Sequence, residues 1–139
     1  MRLPLRQRLL CVVLGLAAFS PLVIAAGLEP SPKGVATHTQ LGLPACGWMA
    51  SMGRPCISCG MTTAFAHAAN GSFVQSVVAQ PMGWVLAVLA ASTGFACLHA
   101  AMTGWRAERL LNAVMQPKTL WIVAGGLLAA WGYKWVAVG

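Results

Sequence analysis

Three long apolar runs divide the chain. The first extends from Leu9 to Leu28, interrupted by Ser20 and Pro21; the second from Met82 to Met102; the third from Thr119 to Val138. Each is about 20 residues long, enough as a helix to cross a hydrocarbon core of ~30 Å. The second run is uncharged and has His99 as its strongly polar side chain, whereas the third carries Lys134 near its far end. The pattern predicts an all-α integral membrane protein with about three transmembrane helices.

The stretch between the first two runs is different. Glu29-Pro30-Ser31-Pro32-Lys33-Gly34 is a break, because its two prolines cannot continue a helix and its glycine loosens the chain. Further on, Ala64 to Ala69 favours a helix, which Asn70-Gly71 stops. Ser72 then reads as the N-cap of a short amphipathic helix, Phe73 to Ala79, with Phe73, Val74, Val77 and Val78 on one face. Such a helix lies in the membrane interface and leads into Pro81, a tolerated first-turn residue of the next span. The predicted organisation is therefore an N-terminal membrane helix or signal-like segment (1–28), an outer-side cysteine-containing segment with short helices (29–80), and a two-helix membrane hairpin (81–139). The basic start, Arg2, Arg6 and Arg8, with small residues at Ala25 and Ala26, also fits a signal peptide. Both readings carry the following segment across the membrane. Cys11 is too early for lipid attachment and reads as a small apolar helix residue.

Composition strengthens this picture. The 139 residues make one domain at most, with 58% hydrophobic and only 8% charged residues, about a third of the charge of a soluble domain. The net charge of +7 does not indicate nucleic acid, because the basic residues flank the apolar runs instead of forming a patch. Glu29 and Glu108 are the only acidic residues, which excludes carboxylate-pair catalysis of the glycosidase type. With the N-terminus inside, Arg2, Arg6, Arg8, Arg106, Arg109 and Lys118 face the cytoplasm and Lys33, Arg54 and Lys134 the outside. The positive-inside rule thus predicts a multi-pass cell-membrane protein with cytoplasmic N-terminus and outer C-terminus. Trp84, Trp131, Tyr133 and Trp135 mark the outer boundary and Trp105 and Trp121 the inner one, with Lys134 expected to snorkel to the headgroups. Small residues four apart, Ala90 with Gly94, Gly125 with Ala129 and Gly126 with Ala130, favour close helix packing in lipid.

Candidate chemistry is concentrated in three of the five cysteines. Cys46 precedes the run Gly53-Arg54-Pro55-Cys56-Ile57-Ser58-Cys59-Gly60-Met61-Thr62-Thr63. This arrangement, with a membrane helix after it, resembles the bacterial membrane-protein family called domain of unknown function 2752. The likeness extends from about Cys46 to the second span and rests on Gly53, Pro55, Cys56, Cys59, Gly60 and Thr62. Gly47, Ile57 and Thr63 stand where the family has Pro, Pro and Arg. The resemblance implies a small membrane protein and supplies no activity.

Three uses of these thiols follow from the residues. The leading one is a disulfide among Cys46, Cys56 and Cys59 that staples the outer segment in an oxidising compartment, worth roughly 3 kcal/mol for a bridge from Cys46. This makes the protein a structural or accessory membrane protein rather than an enzyme. The second is a soft-metal site, zinc or copper. Cys56 and Cys59 have metal-bite spacing, Cys46 is a third ligand and His67 a fourth, and Met49, Met52 and Met61 are nearby thioethers that favour Cu(I). The third is thiol–disulfide exchange, with Cys56 at a helix N-terminus attacking and Cys59 resolving. No βαβ pattern surrounds the pair, and Gly60 stands where haem attachment needs a His. His99, near the inner boundary, reads as wet; His38 reads as exposed loop. The expected partners are the bilayer and either another membrane protein or a second copy of the chain.

Overall fold

The computed structural model describes residues 4–104, 112 and 116–138. Arg2, Trp105, Arg106, Glu108 and Arg109, which carry part of the charge and aromatic arguments, lie outside them. Among the described residues there are six α-helices and no strand. They are α1 (Leu5–Ala26), α2 (Gly47–Met52), α3 (Met61–Ala69), α4 (Phe73–Ala79), α5 (Pro81–Thr103) and α6 (Pro117–Val138), with a short 3-10 helix over Thr37–Leu41. Helices α1, α5 and α6 are long and apolar enough to cross a membrane. The protein is an all-helical, multi-pass membrane protein, and the three motif cysteines lie between its first and second spans.

Helix α1 runs through Pro21 without stopping. It packs antiparallel on α5, the largest helix contact in the fold. Missing side chains permit the approach: a Cβ on Gly94 would fall 2.7 Å from the Phe19 ring, and one on Gly15 3.0 Å from Leu98. At one end of the pair, Arg8 donates from Nε and Nη2 to the Ala101 and Met102 carbonyls, both at 2.7 Å. These carbonyls belong to the last turn of α5, where no intrahelical donor remains and a cation complements the helix dipole.

At the other end of the pair sits the cysteine-containing segment. Helix α3 lies against both α1 and α5. Ala64 and Ala66 are fully buried, and Ala25, Leu28 and Ala66 form an apolar cluster with Phe65 and Ala69 packed on it. Helix α4 follows after Asn70 and Gly71, as the sequence predicts, with Ser72 at its N-cap but without a side-chain capping bond. Ser76 Oγ instead donates to the Ala64 carbonyl at 2.7 Å, tying α4 to α3. Phe73, Val74, Val77 and Val78 remain exposed, the single apolar face of an interfacial helix. Pro81 then opens α5 in its first turn.

The far end of α6 reaches the same side of the molecule and clamps this segment. Trp131 Nε1 donates to the Pro55 carbonyl at 3.2 Å, and the Arg54 guanidinium lies 4.4 Å from the Trp135 ring centroid. Lys134 corrects the sequence expectation of snorkelling. Only 4% of it is exposed, and its ammonium donates to the Ala79 carbonyl at 2.6 Å and the Gly34 carbonyl at 3.2 Å. Both acceptors lack a helix partner and supply what headgroup water would have.

Candidate metal centre

Local backbone signals place the three thiols. Cys46 is the N-cap of α2, its carbonyl accepting from Ala50 N–H at 3.0 Å. Gly53 ends that short helix at φ 64°, a left-handed conformation that glycine adopts without steric cost. The chain then turns back through Pro55. Cys56 and Cys59 occupy one tight turn, closed by the Cys59 N–H to Cys56 carbonyl bond at 3.0 Å. Gly60 follows at φ 87° and begins α3. A side chain there would also collide: its Cβ would lie 2.8 Å from the Gly34 carbonyl oxygen and 3.1 Å from Lys134 Nζ. The motif glycines thus fold the cysteine turn, and Gly60 leaves space for the lysine.

The sulfurs of Cys46, Cys56 and Cys59 lie within 4.8 Å of one another. All three are free thiols, so the disulfide staple expected from the sequence is not formed in this structure. The backbone gathers three sulfurs about one point instead of pairing two. Three sulfurs around one ion at ~2.3 Å stand roughly 4 Å apart, so the cluster needs little contraction to hold one.

The thiols are not equivalent. Cys56 is half-buried and Cys59 is buried. Burial pushes the Cys56 thiol up, but hydrogen bonds from Ser58, with Oγ 3.4 Å from the sulfur, and from Cys46 and Cys59 outweigh it and hold it below the ordinary thiol value. Burial, with the nearby Cys56 charge, pushes Cys59 up to about 11.

His67 is not part of the sulfur cluster. It lies two turns along α3 and lines a separate cavity with Lys33, Gln75 and Lys134; burial holds its imidazole below the usual histidine value. His38 and Met49 instead line a cavity of about 180 Å³ beside Cys46 and Cys59. Met52 is exposed, and Met61 borders an apolar groove with Thr62 and α1. Thr63, fully buried, shares a 2.7 Å hydrogen bond with Thr37. His99 is exposed, and Cys11 and Cys97 share a buried cluster between α1 and α5. The sequence reading left His38 as exposed loop, although it lies eight residues before Cys46, as far as His67 lies after Cys59. It also missed the place of Lys134, although a lone charge in an apolar run is itself a signal.

Residues 46–94 match the family described as protein of unknown function (DUF2752). The matched stretch opens on Cys46 and carries the whole cysteine turn, α3, α4 and the first half of α5. The resemblance read from the motif residues is therefore borne out over this segment. No curated protein and no solved structure matches the chain.

Proposed function

We propose that the protein binds a soft metal ion on the outer side of the cell membrane, through the thiolates of Cys46, Cys56 and Cys59. The observation that carries this reading is the convergence of the three sulfurs within 4.8 Å. Sulfur donors select soft ions, and Met49 adds a thioether to the adjoining cavity. Among the described residues three sulfurs and no fourth His, Cys or carboxylate make up the cluster, a set that suits Cu(I) better than structural zinc, which takes four ligands. The N-terminus would be cytoplasmic, so that the cysteine segment and the end of α6 face outward.

The test is metal stoichiometry. Reduced, detergent-solubilised protein is loaded with Cu(I) or Zn(II) against a competing chelator, and bound metal is counted by native mass spectrometry. One ion per chain is expected, lost in each of Cys46→Ser, Cys56→Ser and Cys59→Ser. Wild-type protein that holds neither metal overturns the proposal.

The unequal thiols favour a second reading, thiol–disulfide exchange. Cys56 thiolate attacks a partner disulfide and releases one partner thiolate. Cys59, on losing its proton, then attacks Cys56 Sγ and releases the second. The partner gains two electrons and a Cys56–Cys59 disulfide forms. Cys46→Ser separates the readings, because it abolishes three-sulfur metal binding and leaves this exchange intact.

A further inference from the structure

A second cavity, of about 450 Å³, lies where the segment after α1 meets α4 and the far end of α6. Its polar lining comes from Ser31, Lys33, His67, Gln75, Tyr133 and Lys134. Every one of these side chains can donate a hydrogen bond, and two carry an ammonium. Among the described residues no carboxylate lines the cavity, and Glu29, the acidic one of them, is exposed and not part of the lining. Lys134 is the critical group. An ammonium has three N–H donors, and among the described residues two of them serve the Ala79 and Gly34 carbonyls. Its charge thus sits 4% exposed among carbonyl dipoles, with the Cys59 sulfur as the acidic group that acts on it among the described residues. A buried ammonium without an opposing ion is costly, and an anion in the cavity removes that cost.

The surroundings indicate where the anion comes from. Val74, Val78 and Ala137 supply the apolar part of the lining. Val74 and Val78 also belong to the exposed apolar face of α4, which gives the cavity an apolar rim suited to acyl chains. Tyr133, on the last turns of the third span, is a residue type that favours the headgroup level. We infer that this cavity binds the phosphate oxyanion of an anionic glycerophospholipid, held by Lys134 and Lys33, with the glycerol end against Val74 and Val78. The site shares no ligand with the cysteine cluster, but Cys59 acts on Lys134, so the test is run on metal-free, reduced protein.

The experiment uses the full chain extracted in neutral detergent and offered phosphatidylglycerol or phosphatidylcholine, with retained lipid read by native mass spectrometry. Several-fold preference for phosphatidylglycerol is expected, persisting in excess inorganic phosphate and falling to the phosphatidylcholine level in Lys33→Met and Lys134→Met. Lys134 also bonds the fold, so Lys33→Met and Gln75→Leu, both at exposed positions, serve as the variants that leave folding intact. Displacement of the lipid by inorganic phosphate overturns the lipid as the source and leaves a free-phosphate site. Equal retention of both lipids, unchanged in the variants and insensitive to phosphate, overturns the site itself.

Discussion

The Lys134 ammonium and the Ala79 carbonyl meet at 2.6 Å, and through this bond the third span holds the end of α4. The same ammonium reaches Gly34 and rests against Gly60, where a Cβ would come within 3.1 Å of it. One side chain therefore fixes three parts of the cysteine-containing segment. Removing it leaves two carbonyls without their charged donor, and hydrogen bonds to charged groups contribute about 1.5–3 kcal/mol each. Lys134→Met is expected to destabilise the protein by at least ~2 kcal/mol and to raise amide exchange around Gly34 and Ala79. Hydrogen exchange in detergent micelles checks both; unchanged exchange at these residues would show that the clamp contributes little.

A second prediction concerns Thr63, which stands fully buried opposite Thr37. Their hydroxyls lie 2.7 Å apart, and Thr37 Oγ1 also accepts from the Ser31 N–H at 3.1 Å. Thr63→Val keeps the shape and deletes one hydroxyl, at a cost of about 1–3 kcal/mol for the group left unsatisfied. Thr37→Val costs more, because the Ser31 N–H loses its acceptor as well. Thr63→Ser restores the bond and recovers most of the loss. Thermal unfolding of the four proteins side by side tests this order, and equal melting of Thr63→Val and wild type would rule out the hydroxyl pair as a stabilising contact.

Much of the fold was legible because its signals are local. Apolar run length gave the three spans, and Asn70-Gly71, Ser72 and Pro81 gave the boundaries of α3, α4 and α5. The cysteine turn was legible for the same reason, since Cys56, Cys59 and Gly60 are neighbours in sequence. What escaped was tertiary. Lys134 sits 55 residues from Ala79 and 100 from Gly34, and nothing in an apolar run tells whether its one cation turns to headgroups or to carbonyls of the same chain. His67 is close to the motif in sequence, yet its place on α3 carries it to the other cavity. His38, equally distant from its nearest cysteine, returns beside Cys46 through the 3-10 turn, where its Nε2 lies 3.3 Å from the Pro44 carbonyl oxygen. The trio of sulfurs required a structure, because spacing alone allows a pair as readily as a cluster.

The third prediction separates the two thiols of the turn by pH in metal-free, reduced protein. Thiolate is the reactive form. Cys56 lies below the ordinary thiol value and Cys59 at about 11, roughly two units above it, or ~100-fold less thiolate at neutral pH. A more basic thiolate is also the better nucleophile, which offsets part of this, so iodoacetamide should label Cys56 roughly 10-fold or more faster than Cys59 near neutrality. The sign of the change with pH is fixed: Cys56 levels off first, Cys59 keeps rising until about pH 11, and the ratio shrinks as pH increases. Peptide mapping after timed alkylation measures both rates. Comparable labelling of the two residues at neutral pH would contradict the asymmetry.

The last prediction uses glycines of the spans as probes of packing in lipid. The sequence offers three pairs of small residues, and the structure gives them different surroundings. Gly94 faces the Phe19 ring, with 2.7 Å available to a Cβ, and Gly126 faces Met82 Sδ at 3.0 Å, whereas a Cβ on Gly125 meets nothing within 4 Å. Gly94→Leu must push α1 off α5, an overpacking that costs about 1–3 kcal/mol or more. Gly126→Leu meets a flexible thioether that can turn aside, so its cost falls below that of Gly94→Leu. Gly125→Leu adds a side chain where no atom of the described residues opposes it, with an effect within about 0.5 kcal/mol. Unfolding midpoints in one detergent rank the three variants. Should Gly125→Leu prove the most damaging, that face of α6 is covered by a partner helix, and a second copy of the chain would then be sought by crosslinking from the same position.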